Sequence, residues 1–312
     1  MTAALQLLPL AKRQASWLLF GGVLLVFGWL SPKFLEANNL VNILIQSSSV
    51  GIVAVGMTFV LLTAGIDLSV GSVMFVAAAV AGKVVLGGLP LAVAVLAIIA
   101  VGVVCGVING LFVTRLKLLP FIVTLATLYV GRGFGLWLTE TRAMNLPDNL
   151  LRLGTAKVLG VPVPVLTFGL TLGAAHLVLM QMPFGRRVYA IGHDRAAAQK
   201  AGLNVGRTLL LVYVISGVCA ALGGLISVAQ LGAVAPTFGN QREFAAVAAA
   251  VLGGTSLFGG RGRVFPGTLL GAVLIQAVEN GLVVVNADPY LYPLVMSVII
   301  FLAVLLRVRG ET

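Results

Sequence analysis

Long apolar runs recur along this chain and leave it few ways to fold. Ten stretches are long enough to cross a bilayer as helices: 16–31, 41–64, 69–86, 90–113, 119–138, 163–182, 208–230, 244–259, 266–285 and 290–306. A hydrocarbon core of about 30 Å takes about 20 apolar residues in helical form. In lipid every backbone N–H and C=O needs a partner within the protein, which leaves helices or closed barrels. The runs lack the alternating faces of barrel strands. Only 9% of the residues are charged and 60% are hydrophobic, whereas a soluble domain carries about 25% charged residues. The sequence therefore predicts an all-α integral membrane protein, one lipid-embedded domain over 1–312 with about ten transmembrane helices.

Orientation follows from the basic residues. The net charge of +11 would point to nucleic acid on a soluble protein, but here the basic residues lie in short loops without interleaved aromatics, so no nucleic-acid partner is expected. With the amino end in the cytoplasm, thirteen of the 20 Lys and Arg residues fall in inner loops and six in outer ones. The positive-inside bias then puts both termini in the cytoplasm. Lys12 and Arg13 precede the first run, and no small-residue cleavage site follows it, so an uncleaved first span is expected. Two connections are longer: 140–162, polar and external, and 183–207, basic and internal. Cys105 and Cys219 lie in apolar runs and read as small buried hydrophobes. His176 and His193 have no partners at metal-ligand spacing, and no GxxxxGK[ST] nucleotide loop is present. No cofactor is expected on this chain.

An internal repeat is visible. Asn-Gly-Leu occurs at Asn109 and again at Asn280, an offset of 171 residues. That offset lays spans two to five on spans seven to ten. A shift of five spans is odd, so the halves would face opposite ways, as in inverted-repeat transporters.

The stretch LLTAGIDLSVGSVM, 61–74, places one acid between two apolar runs. Asp67 is expected to cap the third span by accepting from the backbone N–H of residue 69 or 70. Gly65 is expected to end the second span as its C′ residue, and Gly71 to allow close packing. The same corner, with Ser69, Asn109 and Asn280, is also a candidate for a polar path, because broken backbone at membrane depth is tolerated where it lines one.

Three longer stretches carry a family resemblance. GMTFVLLTAGIDLSVGSV (56–73), AIGHDRAAAQKAGLNV (190–205) and VLGGTSLFGGRGRVFPGTLLGAVLIQAVENGL (251–282) together resemble the permease subunits of bacterial ABC importers for monosaccharides, the ribose, xylose, arabinose and galactose permease family. The likeness runs from about residue 38 to 306. It implies an inner-membrane permease with a second permease subunit, a cytoplasmic ABC ATPase and a periplasmic sugar-binding protein. The segment 190–205 is similar to that family's coupling segment, which implies that Gly192, His193, Asp194, Arg195, Ala196, Ala197, Ala198, Gln199, Lys200 and Gly202 meet the ATPase. Two positions depart from the family. Ala196 stands where an acid is usual, and Arg195 where proline or a small residue is common, which puts a specific acidic contact in doubt.

Read physically, Asp194 is an N-cap, Lys200 lies near the helix end and Gly202 is a C-cap, an arrangement that suits the helix dipole. So short a helix is marginal alone in water, and a partner surface is expected to hold it. Arg132 and Glu279 lie inside spans, roughly 18 and 20 Å along helices that both start inside. An ion pair between them is expected, or else a shared watery path. Gln46, Ser47, Ser48, Ser49 and Gln276 are further polar groups in spans, able to bridge helices or to meet sugar hydroxyls. Competing readings are a permease for another solute (autoinducer-2, a polyol, a nucleoside, a branched-chain amino acid), an ion-driven carrier, which should bury more acids, and a membrane enzyme, which should cluster His, Asp or Glu.

Overall fold

The computed structural model describes residues 15–288 and 290–308. Lys12, Arg13 and Arg309, used in the orientation argument, lie outside them. Helix α1 (Ala15–Leu30) is followed by a 3-10 turn (Pro32–Leu35), α2 (Ala37–Leu62), α3 (Val70–Leu86), α4 (Leu91–Thr114) and α5 (Pro120–Thr139). A folded connecting segment then holds β1 (Met144–Asn145), α6 (Asp148–Thr155), β2 (Lys157–Val158) and β3 (Val161–Pro162). Next come α7 (Val163–Met180), α8 (Pro183–His193), α9 (Arg195–Lys200), α10 (Val205–Leu231) and β4 (Ala233–Val234). The chain ends with α11 (Arg242–Leu252), a single π turn (Val264–Thr268), α12 (Leu269–Val284) and α13 (Leu291–Val308). Among the described residues, six stretches are long and apolar enough to cross a membrane: α2, α4, α5, α7, α10 and Val264–Val284; Ser16–Leu30 and Val70–Leu86 are apolar but shorter.

Helix α2 is the axis of the bundle. Every residue from Ser47 to Leu62 is buried, as befits a helix that is apolar all round. Helices α7, α10, α11 and α12 pack on it, while α4 and α5 turn Leu96, Val104, Phe121, Val130 and Trp137 outward, the surface lipid would cover. Helix α4 can lie against α10 because Gly102, Gly106 and Gly110 fall on one face four residues apart. A Cβ on Gly102 would come within 2.6 Å of the Gly217 carbonyl oxygen, and one on Gly110 within 2.9 Å of Leu210 Cα. Small residues at this spacing let helix backbones touch in lipid.

Two expectations fail here. The end of α2 is a Schellman motif, in which Gly65 N–H donates to Val60 C=O at 3.1 Å and Ala64 N–H to Leu61 C=O at 2.9 Å. The left-handed C′ residue is therefore Ala64 (φ 56°), not Gly65. Gly65 is one place further on, where a Cβ would meet Tyr213 Oη at 2.9 Å.

The expected span over 244–259 is also shorter than a crossing. Helix α11 has 11 residues, about 16 Å at 1.5 Å per residue, roughly half the hydrocarbon thickness. Its start meets the start of α3: a Cβ on Gly71 would collide with the Gly239 carbonyl and with Glu243 Oε2. Two short helices thus bring their N-terminal ends together in the middle of the bundle, each reached through an irregular link, 63–69 for α3 and 235–241 for α11.

The connecting segment after α5 closes over the C-terminal end of α10. β1 pairs antiparallel with β4, Met144 opposite Val234, and Gly154 of α6 lies against the Ala229 carbonyl.

Candidate functional site

Asp67 anchors a buried hydrogen-bonded chain. Its Oδ1 accepts from Ser69 N–H at 3.0 Å and from Ser69 Oγ at 2.6 Å; its Oδ2 accepts from Ser216 Oγ of α10 at 2.7 Å. Asn109 Nδ2 of α4 donates to Ser69 Oγ at 2.9 Å, and Thr127 Oγ1 of α5 donates to Asn109 Oδ1 at 2.6 Å. The predicted bond to Ser69 N–H is present, but the N-cap of α3 is Ser69 itself, so Asp67 stands two residues before the cap and braces the link 63–69 instead of capping the helix. Asp67, Ser69 and Asn109 are each 1% exposed, so they brace four elements and do not line an open path. Asn280 is not brought to them. It exchanges two amide hydrogen bonds with Asn39, at 2.8 and 3.0 Å.

Arg132 does not pair with Glu279. Its Nη1 donates to the Phe238 carbonyl, and its guanidinium lies 5.5 Å from the centroid of the Phe75 ring. The acid in its field is Glu243, in the first turn of α11, at the junction of Gly71 and Gly239. Position along a helix does not say which neighbour the side chain faces. Glu243 Oε2 and Tyr213 Oη are buried without a hydrogen-bond partner among the described residues.

Glu279 lies instead on a polar cavity of about 560 Å³ between α2, α6, α10, α11 and α12, shared with Gln46, Ser227, Gln230, Arg242, Gln276 and Asn280. Gln276 Nε2 donates to Gln46 Oε1 at 3.0 Å, and Gln230 Nε2 to the Ile45 carbonyl at 2.9 Å. Of these groups Gln46, Gln276, Glu279 and Asn280 had been singled out from the sequence. Ser227, Gln230 and Arg242 had not, because polar residues at the C-terminal end of α10 and the start of α11 look like ordinary span ends.

The segment 183–207 folds as the two helices α8 and α9. Asp194 Oδ1 accepts from Ala196 N–H at 2.8 Å and Ala197 N–H at 2.9 Å, and Gly202 is left-handed at φ 80°. The helix does not wait for a partner to hold it, as the sequence had led one to expect. Ala198 packs with Ile191, Val205 and Leu209. Gly192 is also buried, so tightly that a Cβ would strike the Leu62 carbonyl. His193, Asp194, Arg195, Ala196, Ala197, Gln199, Lys200 and Gly202 face outward. Arg195 and Gln199 share a second cavity, about 650 Å³, with Lys117 and Asn204.

Broken spans around buried polar groups, with a polar cavity running into the bundle, define a multi-pass membrane permease. The chain belongs to the family described as the branched-chain amino acid transport system / permease component, which it matches over residues 39–306. It is 40% identical over 287 residues to the ribose import permease protein of Bacillus subtilis, covering 91% of this chain and 89% of that one. The ribose import permease protein of Haemophilus influenzae is 39% identical over 285 residues, covering 90% and 88%. The fructose import permease protein of Rhizobium meliloti is 39% identical over 296 residues, covering 90% and 81%. No solved structure matches the chain.

Proposed function

We propose that this chain is the membrane subunit of an ATP-driven importer that carries a monosaccharide across a bacterial inner membrane. The observation that carries the reading is the identity of about 40% with two ribose import permeases over nine-tenths of the chain. The polar cavity supports it, since amides, a hydroxyl and charged groups of both signs suit a hydroxylated solute. The power comes from a separate cytoplasmic ATPase that docks on the exposed face of α9 and the adjoining cavity of Lys117 and Arg195. A periplasmic sugar-binding protein delivers the solute to the outer segment 140–162, and a second permease subunit, alike or different, completes the membrane unit. The chain itself carries no cofactor.

In this reading both termini are cytoplasmic and the chain makes ten crossings, the link 235–241 completing the one that α11 makes only in part. The helix contacts support the inverted repeat. Exchange α2 with α10, α3 with α11, α4 with α12 and α5 with α13, and the contacts persist: α3 touches α10, α4 and α5, while α11 touches α2, α12 and α13.

Co-expression with the matching ATPase and binding protein, followed by reconstitution in liposomes, tests the function. ATP-dependent uptake of D-ribose or another monosaccharide is expected. Uptake that persists without any ATPase would point to an ion-driven carrier. Uptake of L-leucine in place of every sugar would favour the amino-acid reading that the family description carries.

A further inference from the structure

The cavity between α2, α10, α11 and α12 holds more polar capacity than the protein uses. Among the described residues Gln46 donates nothing through its amide group, although its Oε1 accepts from Gln276, and the Oε1 atoms of Gln276 and Gln230 accept nothing. Ser227, 6% exposed, and the side chains of Arg242 and Glu279 have no hydrogen-bond or ion-pair partner among the described residues, although all line the cavity. An amide offers two donor hydrogens and two acceptor sites, a guanidinium five donors, a carboxylate only acceptors. Open donors and open acceptors therefore face one space. Leaving such groups unpaired inside a bilayer costs free energy unless water or a ligand meets them.

Resting on the import reading above, we infer that this cavity is the outward-facing substrate site, and that it holds a neutral polyhydroxylated ring through Gln46, Ser227, Gln230, Arg242, Gln276 and Glu279. Each hydroxyl of such a ring both donates and accepts, which fits interspersed donors and acceptors. The two charges cancel, so no net charge is asked of the ligand. A zwitterionic amino acid could meet Arg242 and Glu279 but would set its side chain against amides and a hydroxyl. Position supports the assignment as well. Arg242 is the first residue of α11, next to Glu243 at the junction where the two short helices meet. Gly154 and Thr155 of the outer segment line the same cavity.

The test uses the assembled transporter in liposomes, with Cys105→Ala and Cys219→Ala as background. Ser227→Cys should react with a small polar thiol reagent from the outer face, and saturating D-ribose should slow that reaction several-fold. In the otherwise native chain, Glu279→Ala and Gln276→Leu should each lower D-ribose uptake about 10-fold, the effect of losing a hydrogen bond of ~1.4 kcal/mol. Co-purification with the ATPase reports that each variant is assembled. If the unmodified transporter moves no monosaccharide, the import reading itself falls. If it moves ribose while labelling ignores ribose and both assembled variants transport normally, the site is elsewhere and this inference falls alone. Protection by L-leucine in place of ribose would overturn the neutral-ring assignment.

Discussion

At the residue scale the densest chemistry is where α3 and α11 meet. Two helix N-termini, each with the positive end of its dipole, converge there with the Arg132 guanidinium. Glu243 is the acid among them, 6% exposed, and it offsets positive potential from three sources. The glycines at 71 and 239 let the backbones come close enough for this to matter. Glu243→Gln keeps the shape and removes the charge, and should destabilise the permease by about 1–3 kcal/mol, the cost of an unmatched buried polar group. Glu243→Lys adds a cation to an already positive junction and should cost roughly 3–5 kcal/mol, as uncompensated buried charge does. Thermal unfolding of the purified chain in detergent should rank native above Gln above Lys. Equal melting of the two variants would show that charge at this junction is unimportant.

At the scale of elements, α9 makes a test of how a short helix serves a partner. Six residues cannot hold a helix in water, yet Asp194 caps its start and the small apolar cluster of Ile191, Ala198, Val205 and Leu209 pins one side to α10. The exposed side is then presented ready-made. Asp194→Ala removes two backbone hydrogen bonds, worth about 1 kcal/mol, and should weaken ATPase binding about 5-fold. Titrating the ATPase against permease immobilised in nanodiscs measures this, and unchanged affinity would mean the cap does not shape the docking face. Both the cap and the bond from Ser69 to Asp67 were legible in the sequence, because each joins residues two or three apart and local geometry decides it. The partners of Arg132 and Glu279 were not legible. Residue spacing gives height along a helix and says nothing of which distant helix stands opposite. Hydropathy likewise could not separate α11 from a full span, since Leu257 and Phe258 continue its apolar character although the helix ends at Leu252. The glycine ladder 102, 106 and 110 was in plain sight, and only the tight approach to α10 gives it meaning.

At the scale of the whole molecule, the contacts between distant segments sort the connections into two faces. Gly260 N–H donates to the Leu62 carbonyl at 2.9 Å, and Tyr189 Oη donates to the Gly262 carbonyl at 2.8 Å, so the end of α2, helix α8 and the link 254–263 share one face. The pairing of β1 with β4 puts 144–145 and 233–234 on the other. Between Ala233 and Gly254 the chain must therefore pass from one face to the other, even though α11 covers only about half that depth. This sharing of faces also agrees with the excess of basic residues in loops such as 183–207 and 260–263, which the positive-inside bias assigns to the cytoplasm. Single cysteines placed by Gln199→Cys, Phe258→Cys and Leu159→Cys, in the Cys105→Ala, Cys219→Ala background, turn the argument into a measurement, because each position is exposed. In intact cells an impermeant thiol reagent should label Leu159→Cys alone. In inside-out vesicles it should label the other two. Labelling of Phe258→Cys from outside would mean that α11 turns back without crossing, which would break the inverted repeat and the orientation of everything after α10, while labelling of Gln199→Cys from outside would remove the face on which an ATPase could dock.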